Sequence, residues 1–377
     1  MRLALAEGRR ARGRSHPNPC VGAVVFRGEQ VLGRGCTGPA GGPHAEIVAL
    51  RKAIRRFGPG RVRGASLAVT LEPCCHTGRT GPCTQAILES GVRRVFVGHT
   101  DPHPEVSGRG IRKLRRGGIA VETGLLEESC RELHRGFLSA CQRGRPFVNL
   151  KLASTLDGRI ATAAGESRWI TGPAARAAVH RMRARSDAIL VGSETVLADD
   201  PELTARRGDR VLHRPTRIVV DSRLRVPPSA RVFADDSAER FVLTHRRSPS
   251  QKRRALERAG VRLLDVGRRG RYLDLGRALS ALARSGLTEI LVEGGGGLGA
   301  ALLRKGLVDE VNWFVAPALL GSDARAALGP LGIRRLDEAG RLRDIRQRRV
   351  GVDLHVCGRL SGPPSTAGAH RGGGRNR

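Results

Sequence analysis

Aromatic side chains are scarce, with eight Phe, two Trp and one Tyr in 377 residues. A groove that grips single-stranded nucleic acid interleaves aromatic platforms with positive charge, so this scarcity argues against one despite a formal net charge of +32. Lysine is scarcer still: Lys52, Lys113, Lys151, Lys252 and Lys305 are the only five, against 62 Arg. The arginines are scattered among 50 glycines instead of forming a mixed Lys/Arg stripe, which points to compositional bias and to no nucleic-acid partner. No run approaches the roughly 18 apolar residues of a membrane span. The opening Met1–Ala6 stretch, followed by Glu7 and Arg9, is too short for the core of a signal peptide. Eight Cys without a secretory signal lead us to expect reduced thiols, a cytoplasmic protein and no disulfide framework.

A chain of this length with 40% hydrophobic and 27% charged residues should fold as two domains. Val21–Phe26 and Gln30–Gly33 read as a hairpin, and the chain then alternates a helix at Ala45–Arg56, a strand at Ala65–Leu71, a helix at Thr84–Ser90 and a strand at Arg93–Gly98. Another helix is expected at Gly108–Gly117 and a strand at Ile119–Glu122. Such alternation implies a sheet covered by helices. Arg143-Gly-Arg-Pro146 is a polar break, so the expected domains are 1–144 and 147–360. The second repeats the pattern, with strands at Phe147–Leu152, Ala188–Gly192, Arg217–Asp221, Arg240–Thr244, Val261–Leu264, Glu289–Glu293 and Glu310–Val315. Helices at Ala174–Ala184 and Leu298–Lys305 lie between them. Residues 361–377, rich in Gly and Arg with almost no apolar side chains, are expected to be a disordered basic tail.

Pro43-His44-Ala45-Glu46 opens one helix, and Glu72-Pro73-Cys74 with Pro82-Cys83 opens the next. Zinc takes His nitrogen and Cys thiolate in a tetrahedron, and a catalytic site leaves the fourth position to water. His44, Cys74 and Cys83 would leave that position open. His44 and Glu46, two apart, cannot share a helix face, but at a helix mouth they can flank one point. Helix N-termini favour the thiolates and the Glu46 carboxylate. Zinc acidifies its water for attack on an amino-bearing ring carbon while Glu46 carries the proton. The order matches the H-x-E and P-C-x-x-C deaminase pattern, but eight residues separate Cys74 from Cys83. Cys75 and His76 are rival ligands by proximity; Cys20, Cys36, Cys130, Cys141 and Cys357 read as packing residues.

These segments carry a family resemblance. His16-Pro-Asn-Pro-Cys-Val-Gly22, Pro43-His-Ala-Glu46, Thr70-Leu-Glu-Pro-Cys74, Gly78-Arg-Thr-Gly-Pro-Cys83 and Asp101-Pro-His-Pro104 resemble the deaminase half of the bifunctional riboflavin-biosynthesis deaminase/reductase family. Lys151-Leu-Ala-Ser-Thr-Leu-Asp-Gly-Arg159, Gly165-Glu-Ser-Arg-Trp-Ile-Thr171, Thr195-Val-Leu-Ala-Asp-Asp-Pro201, Val292-Glu-Gly-Gly295 and Leu320-Gly-Ser322 resemble its reductase half. The resemblance implies a cytidine-deaminase-like three-layer αβα domain followed by a dihydrofolate-reductase-like α/β domain. It also implies deamination of a diaminopyrimidine ribosylamine 5′-phosphate, then reduction of the ribosyl to a ribityl chain by NADPH. Implied ligands of a single Zn²⁺ are His44, Cys74 and Cys83, with Glu46 as proton shuttle and Asn18 on the base; Cys75 and His76 fall on positions the family does not use for metal. In the reductase, Lys151 and Asp199 would be catalytic. Ala153, Trp169, Thr195 and Asp199 would line the cofactor, and Ser167, Arg183, Leu203, Arg206 and Glu293 the substrate. Family members commonly dimerise through the reductase domain.

Some of these roles have independent physical support. Arginines suit a phosphate because they offer forked, permanent donors. Gly294, Gly295, Gly296 and Gly297, between a strand and a helix, form a turn whose amides can face an anion, although in a glycine-rich chain such a run alone is weak. Ser222 with Arg223 is a candidate for the 2′-phosphate of NADPH, with Asp221 awkwardly close. Lys151 and Asp199 are equally readable as an ordinary ion pair. A zinc deaminase acting on nucleic acid, a basic nucleic-acid binder with structural zinc, and the same fold with an inactive reductase half are the alternatives.

Overall fold

The computed structural model describes residues 1–76, 81–234, 237–270 and 272–361. Residues 77–80, which carry part of the second cysteine motif, and residues 362–377 of the expected tail lie outside the described residues. Two compact units divide the chain: Met1–Phe147 with Leu282–Glu289, and Val148–Ala281 with Ile290–Arg377. Residues 282–289, read from sequence as part of the second domain, thus group with the first. No helix among the described residues is long and apolar enough to cross a membrane.

In the first unit the chain runs α1 (Arg2–Ala11), β1 (Gly22–Arg27), β2 (Gln30–Cys36), α2 (Ala45–Phe57), α3 (Pro59–Val62), β3 (Ser66–Val69) and α4 (Cys83–Glu89), then β4 (Arg94–Val97), α5 (Arg109–Arg116), β5 (Ala120–Thr123), α6 (Glu127–Leu133) and α7 (Arg135–Arg143). The strands form one sheet in the order β2-β1-β3-β4-β5. β1 is antiparallel to both neighbours, whereas β3, β4 and β5 are parallel. Alternate strand residues Ala23, Val25, Leu67, Val69, Val95 and Val97 form one buried face, packed with Ala45, Ala49 and Leu50 of α2, Ile87 of α4 and Leu114 of α5. On the opposite face α1 lies directly on β1. A Cβ on Gly22 would sit 1.9 Å from the Ala4 carbonyl oxygen, so this helix–strand approach requires glycine. Helices α6 and α7 are absent from the sequence expectations; α6 buries only Cys130 and Leu133, too sparse an apolar stripe to stand out.

The second unit contains β6 (Phe147–Thr155), β7 (Arg159–Ala161), α8 (Pro173–Arg183), β8 (Ala188–Gly192), α9 (Ser193–Asp199), β9 (Ala205–Arg207), β10 (Arg210–His213), β11 (Thr216–Val220), β12 (Arg240–Thr244), α10 (Ser250–Arg258) and β13 (Arg262–Asp265). It continues through β14 (Arg268–Arg269), β15 (Tyr272–Leu273), α11 (Leu275–Arg284), β16 (Glu289–Glu293), α12 (Gly296–Arg304), β17 (Glu310–Ala316), β18 (Arg325–Ala326), β19 (Arg341–Val350) and β20 (Asp353–Ser361). Nine strands make the main sheet, ordered β13-β12-β11-β8-β16-β6-β17-β20-β19. From β13 to β16 neighbouring strands are parallel, and the sheet closes with an antiparallel β17-β20-β19 edge. β16 reads Glu-Ile-Leu-Val-Glu and is buried throughout, as expected of a parallel strand covered on both faces. The β19–β20 hairpin escapes the sequence reading because six of the ten residues of β19 are charged, and the strand is mostly exposed.

A polar network is buried on the β6-β17-β20 face. Asn312 Nδ2 donates to Asn149 Oδ1 (2.8 Å) and Glu310 Oε1 (3.0 Å). His355 Nε2 donates to Asn312 Oδ1 (2.8 Å), while its Nδ1 accepts from Arg348 Nε (3.3 Å). The imidazole is therefore held neutral and stacks on Phe314 with centroids 4.3 Å apart. Burial, with Arg348 and Arg346 nearby, lowers its pKa from 6.5 to about 4. The unfolded chain binds this proton below pH 6.5 and the fold does not until about pH 4, so stability is full above that window and is lost across it as pH falls. The unfolding free energy of the wild type, from urea titrations, should decline between pH 6.5 and 4 by a component of about 3 kcal/mol, and His355→Gln should flatten that component.

Candidate active sites

The ends of two helices and one loop build the first site. His44 is the residue before α2, Cys83 is the first residue of α4, and Cys74 lies on the loop after β3. His44 Nδ1 is 3.1 Å from Cys83 Sγ and 3.5 Å from Cys74 Sγ, and the Cys83 amide donates to Cys74 Sγ at 3.3 Å. The three candidate ligand atoms all lie within 4.8 Å of one another, and among the described residues this is the one such group of His, Cys, Asp or Glu. One imidazole and two thiols suit zinc by softness and number, and leave a coordination position open. Cys75 and His76 are outside the cluster; Cys75 Sγ faces the Glu105 carbonyl at 3.8 Å. Cys130 and Cys357 are buried as packing residues, but Cys141 is exposed, which corrects its packing assignment.

The electrostatics favour a thiolate at Cys74. Hydrogen bonding from Cys83, with help from His44, brings Cys74 down to about 4, while the same bond and burial drive Cys83 upward, so the shared proton rests on Cys83. His44 is raised, first by its bond to Cys74. Glu46, 4% exposed, is pushed up to about 7 by burial and then by the Cys74 charge. Asn18 lies half-buried on the turn before β1, its amide donating to the Ser15 carbonyl. One organising residue carries no role in the sequence reading. Glu72, two residues before Cys74 and 3% exposed, accepts the backbone amides of Asp101 (3.1 Å), Gly108 (2.9 Å) and Ile111 (3.1 Å). Its placement beside Pro73-Cys74 is the only signal that could have marked it.

In the second unit, α9 follows β8 and the glycine turn follows β16, so both lie at carboxyl ends of adjacent parallel strands. The sheet order reverses here, which is where open α/β sheets form a ligand crevice. Thr195 Oγ1 accepts the Gly295 amide at 3.3 Å. Gly294 has φ +153, and open space surrounds the Cβ positions of Gly295 and Gly297, while Gly296 is fitted tightly against the Ala327 carbonyl. Arg183 forks onto Glu293 (Nε to Oε1 2.7 Å, Nη2 to Oε2 2.9 Å). Lys151 is within reach of both charges, and burial lowers its pKa. Burial raises Glu293, but Arg183, Lys151 and His180 outweigh it and hold the carboxyl below its ordinary value. His180, unmarked in the sequence reading, lies three residues before Arg183 on the same helix face and accepts the Arg206 amide at 3.1 Å.

Other expected residues are placed differently. Asp199 pairs with Arg168 (3.5 Å), so the Lys151–Asp199 ion pair considered above does not form. Leu203 is 2% exposed within a core cluster containing Val191 and Val196, which leaves only its backbone for a ligand. Ala153 is half-buried and packs against the cluster of Ala175, Ala178, Val179 and Phe314. Arg206 is engaged by Thr204 Oγ1 (2.9 Å) and Glu202. Ser167 is half-buried, and Trp169 is 69% exposed with the Arg176 guanidinium 4.5 Å from its ring centroid. The carboxylate of Asp221 is turned inward onto the amides of Arg223 (3.3 Å) and Val226 (2.9 Å), leaving Ser222 clear of it.

A His-Cys-Cys cluster suited to a metal in one unit and a topological switch point in the other mark two separate candidate sites of an enzyme with more than one activity. Residues 1–99 match the cytidine and deoxycytidylate deaminase zinc-binding region, and residues 146–356 match the RibD C-terminal domain. The riboflavin biosynthesis protein RibD of Escherichia coli is 41% identical over 371 residues, covering 95% of this chain and 98% of its own. A solved structure of Acinetobacter baumannii RibD is 36% identical with a TM-score of 0.85, covering 96% and 97% of the two chains. A Thermotoga maritima structure described as a diaminohydroxyphosphoribosylaminopyrimidine deaminase/5-amino-6-(5-phosphoribosylamino)uracil reductase is 33% identical with a TM-score of 0.81, again covering 96% and 97%. The chain belongs to the RibD family of bifunctional deaminase/reductases of riboflavin biosynthesis.

If these three side chains hold the metal, the purified protein should carry one zinc per chain by elemental analysis. Cys83→Ala should lower the retained zinc at least about tenfold, and acidification should release it because His44 favours its proton.

Proposed function

We propose that the first unit removes the 2-amino group of 2,5-diamino-6-ribosylamino-4(3H)-pyrimidinone 5′-phosphate and that the second reduces the ribosyl of the product to a ribityl chain with NADPH. The observation that supports this most strongly is the convergence of His44 Nδ1 with the thiols of Cys74 and Cys83 beside a buried Glu46. Zinc held there would supply an acidified water, and so a nucleophile at neutral pH. Glu46 takes the proton released as water attacks, holds it on its carboxyl and delivers it to the departing amine. A carboxyl shifted toward neutrality by burial is suited to both halves of that transfer. Asn18 would orient the base. Metal ligation is supported by residue type and by the convergence of the three side chains, and the role of Asn18 by the family resemblance alone.

For the reductase, Ala153, Trp169, Thr195, Asp199, Ser222 and the Gly294–Gly297 turn would hold NADPH, which supplies the hydride. The open space at Gly295 and Gly297 leaves their backbone accessible to the pyrophosphate. Ser167, Arg183, Leu203, Arg206 and Glu293 would hold the substrate. Arg183 and Arg206 would serve its phosphate, and the fork of Glu293 onto Arg183 would fix the orientation of the guanidinium. Lys151, kept near that pair on β6, would hold a proton at Nζ for the reduced product, with Asp199 assisting from the end of α9. We extend the reading to a homodimer through the reductase domain, acting in the cytoplasm.

With Glu46→Gln, ammonia release should be lost while NADPH oxidation on pre-deaminated substrate is unchanged. Replacement of Lys151 by Met should do the reverse. Simultaneous loss of both activities in either variant would contradict two separate sites.

A further inference from the structure

His180 has no part in the proposed function, yet it joins the two arginines given there to the substrate phosphate. It lies in the last turn of α8, three residues before Arg183, so both side chains emerge on one helix face. β9 pairs with β10 in a two-stranded ribbon separate from the nine-stranded sheet, and two hydrogen bonds tie the start of that ribbon to α8. His180 Nδ1 accepts the Arg206 amide at 3.1 Å, and Arg183 Nη1 donates to the Thr204 carbonyl at 3.1 Å. We propose that His180 is a positioning residue of the reductase, seating Arg206 beside Arg183 so that both guanidiniums meet one sugar 5′-phosphate. The assignment rests on the reductase reading given above.

The bond to Arg206 dictates what the side chain at position 180 has to be. A backbone amide can only donate, so the ring nitrogen that faces it must keep its lone pair. Neutral imidazole does this with its hydrogen on Nε2, whereas imidazolium, lysine and arginine have no acceptor to offer. The arginine that is abundant elsewhere in the chain could not serve here. Burial, and after it the Arg183 charge, lowers the His180 pKa; the Thr204 carbonyl and Glu293 oppose that shift and Arg206 adds to it. The acceptor is therefore present at neutral pH.

The guanidiniums themselves are oriented by other partners. Glu293 takes the fork of Arg183, and Arg206 is bonded to Thr204 Oγ1 (2.9 Å) and Glu202. Thr204 thus serves both arginines, its carbonyl accepting from Arg183 and its hydroxyl from Arg206. Without the His180 acceptor the Arg206 amide would have to turn toward water, because a donor left unpaired in a partly buried place is costly. That turn would carry the Arg206 guanidinium with it. Forked, charge-assisted bonds depend on direction as well as distance, so an anion held by two forks is weakened when one of them is misplaced. Thr195, Ser222 and the glycine turn lie on other segments, so the change is confined to the substrate side.

Calorimetry with D-ribose 5-phosphate on the full-length protein tests this without turnover. His180→Ala, which removes the acceptor, should bind ribose 5-phosphate at least about tenfold more weakly than the wild type. His180→Asn, whose Oδ1 stands where Nδ1 does, should stay within about threefold of it. NADP⁺ affinity should remain within about threefold in both variants, which also reports an intact second unit. In turnover, the alanine variant should raise KM for the deaminated substrate about tenfold while kcat stays within about threefold. An alanine variant with wild-type affinity for ribose 5-phosphate overturns the proposal, as does one that loses NADP⁺ in parallel, or an asparagine variant as weak as the alanine one. A wild-type chain that binds neither ribose 5-phosphate nor NADP⁺ overturns the reductase reading and this role with it.

Discussion

Two thiols and an imidazole brought to one point by the ends of separate elements constrain the rest of the first unit. Cys74 and Cys83 are nine positions apart and His44 is thirty before Cys74, so their meeting depends on α2, α4 and β3 holding one arrangement. The apolar layer between α2 and the β1–β3 pair supplies that arrangement, with Ala45 and Ala49 buried beneath the helix that carries His44 and Glu46. Glu72 secures the adjoining loop by accepting three backbone amides. Burying a carboxylate is costly unless its lone pairs are filled. Here they are filled by the segment that faces the cysteine loop.

The second unit meets a different demand. A dinucleotide and a phosphorylated substrate both carry negative charge, and the carboxyl ends of β8, β16, β11 and β12 offer amides and arginines with few free carboxylates. Glu293 is neutralised by Arg183, Asp265 by Arg253, and Asp221 by backbone amides. The anionic ligands proposed for this unit would meet few unpaired carboxylates here, although most of the arginines behind the net charge of +32 remain scattered.

The fold was largely legible because apolar runs and their spacing survive compositional bias. Val21–Phe26, Ala188–Gly192 and Glu289–Glu293 all appear as strands within a residue of expectation. What escaped was marginal in pattern: α6, with only Cys130 and Leu133 buried, and β19, whose charged residues hide the hairpin it makes with β20. The candidate zinc ligands were visible as residue types in order, but their convergence is a tertiary fact. Motif position also says nothing of side-chain direction: Leu203 is buried in a core cluster, and Ala153 is half-buried against another. Asp199, the last residue of α9, pairs with Arg168 from the segment between β7 and α8, whereas Lys151, on β6, is held near Glu293 of β16. Glu72 and His180 carried no composition signal at all, since their roles come from backbone amides supplied by distant segments.

The central claim is an open zinc site on His44, Cys74 and Cys83, and X-ray absorption at the zinc edge of the purified full-length protein addresses it most directly. The account predicts two sulfur neighbours at about 2.3 Å and two nitrogen or oxygen neighbours near 2.0–2.1 Å, one of them exchangeable. A third sulfur, or four ligands all contributed by the protein, would mean that Cys75 or His76 completes a closed structural centre and would contradict it.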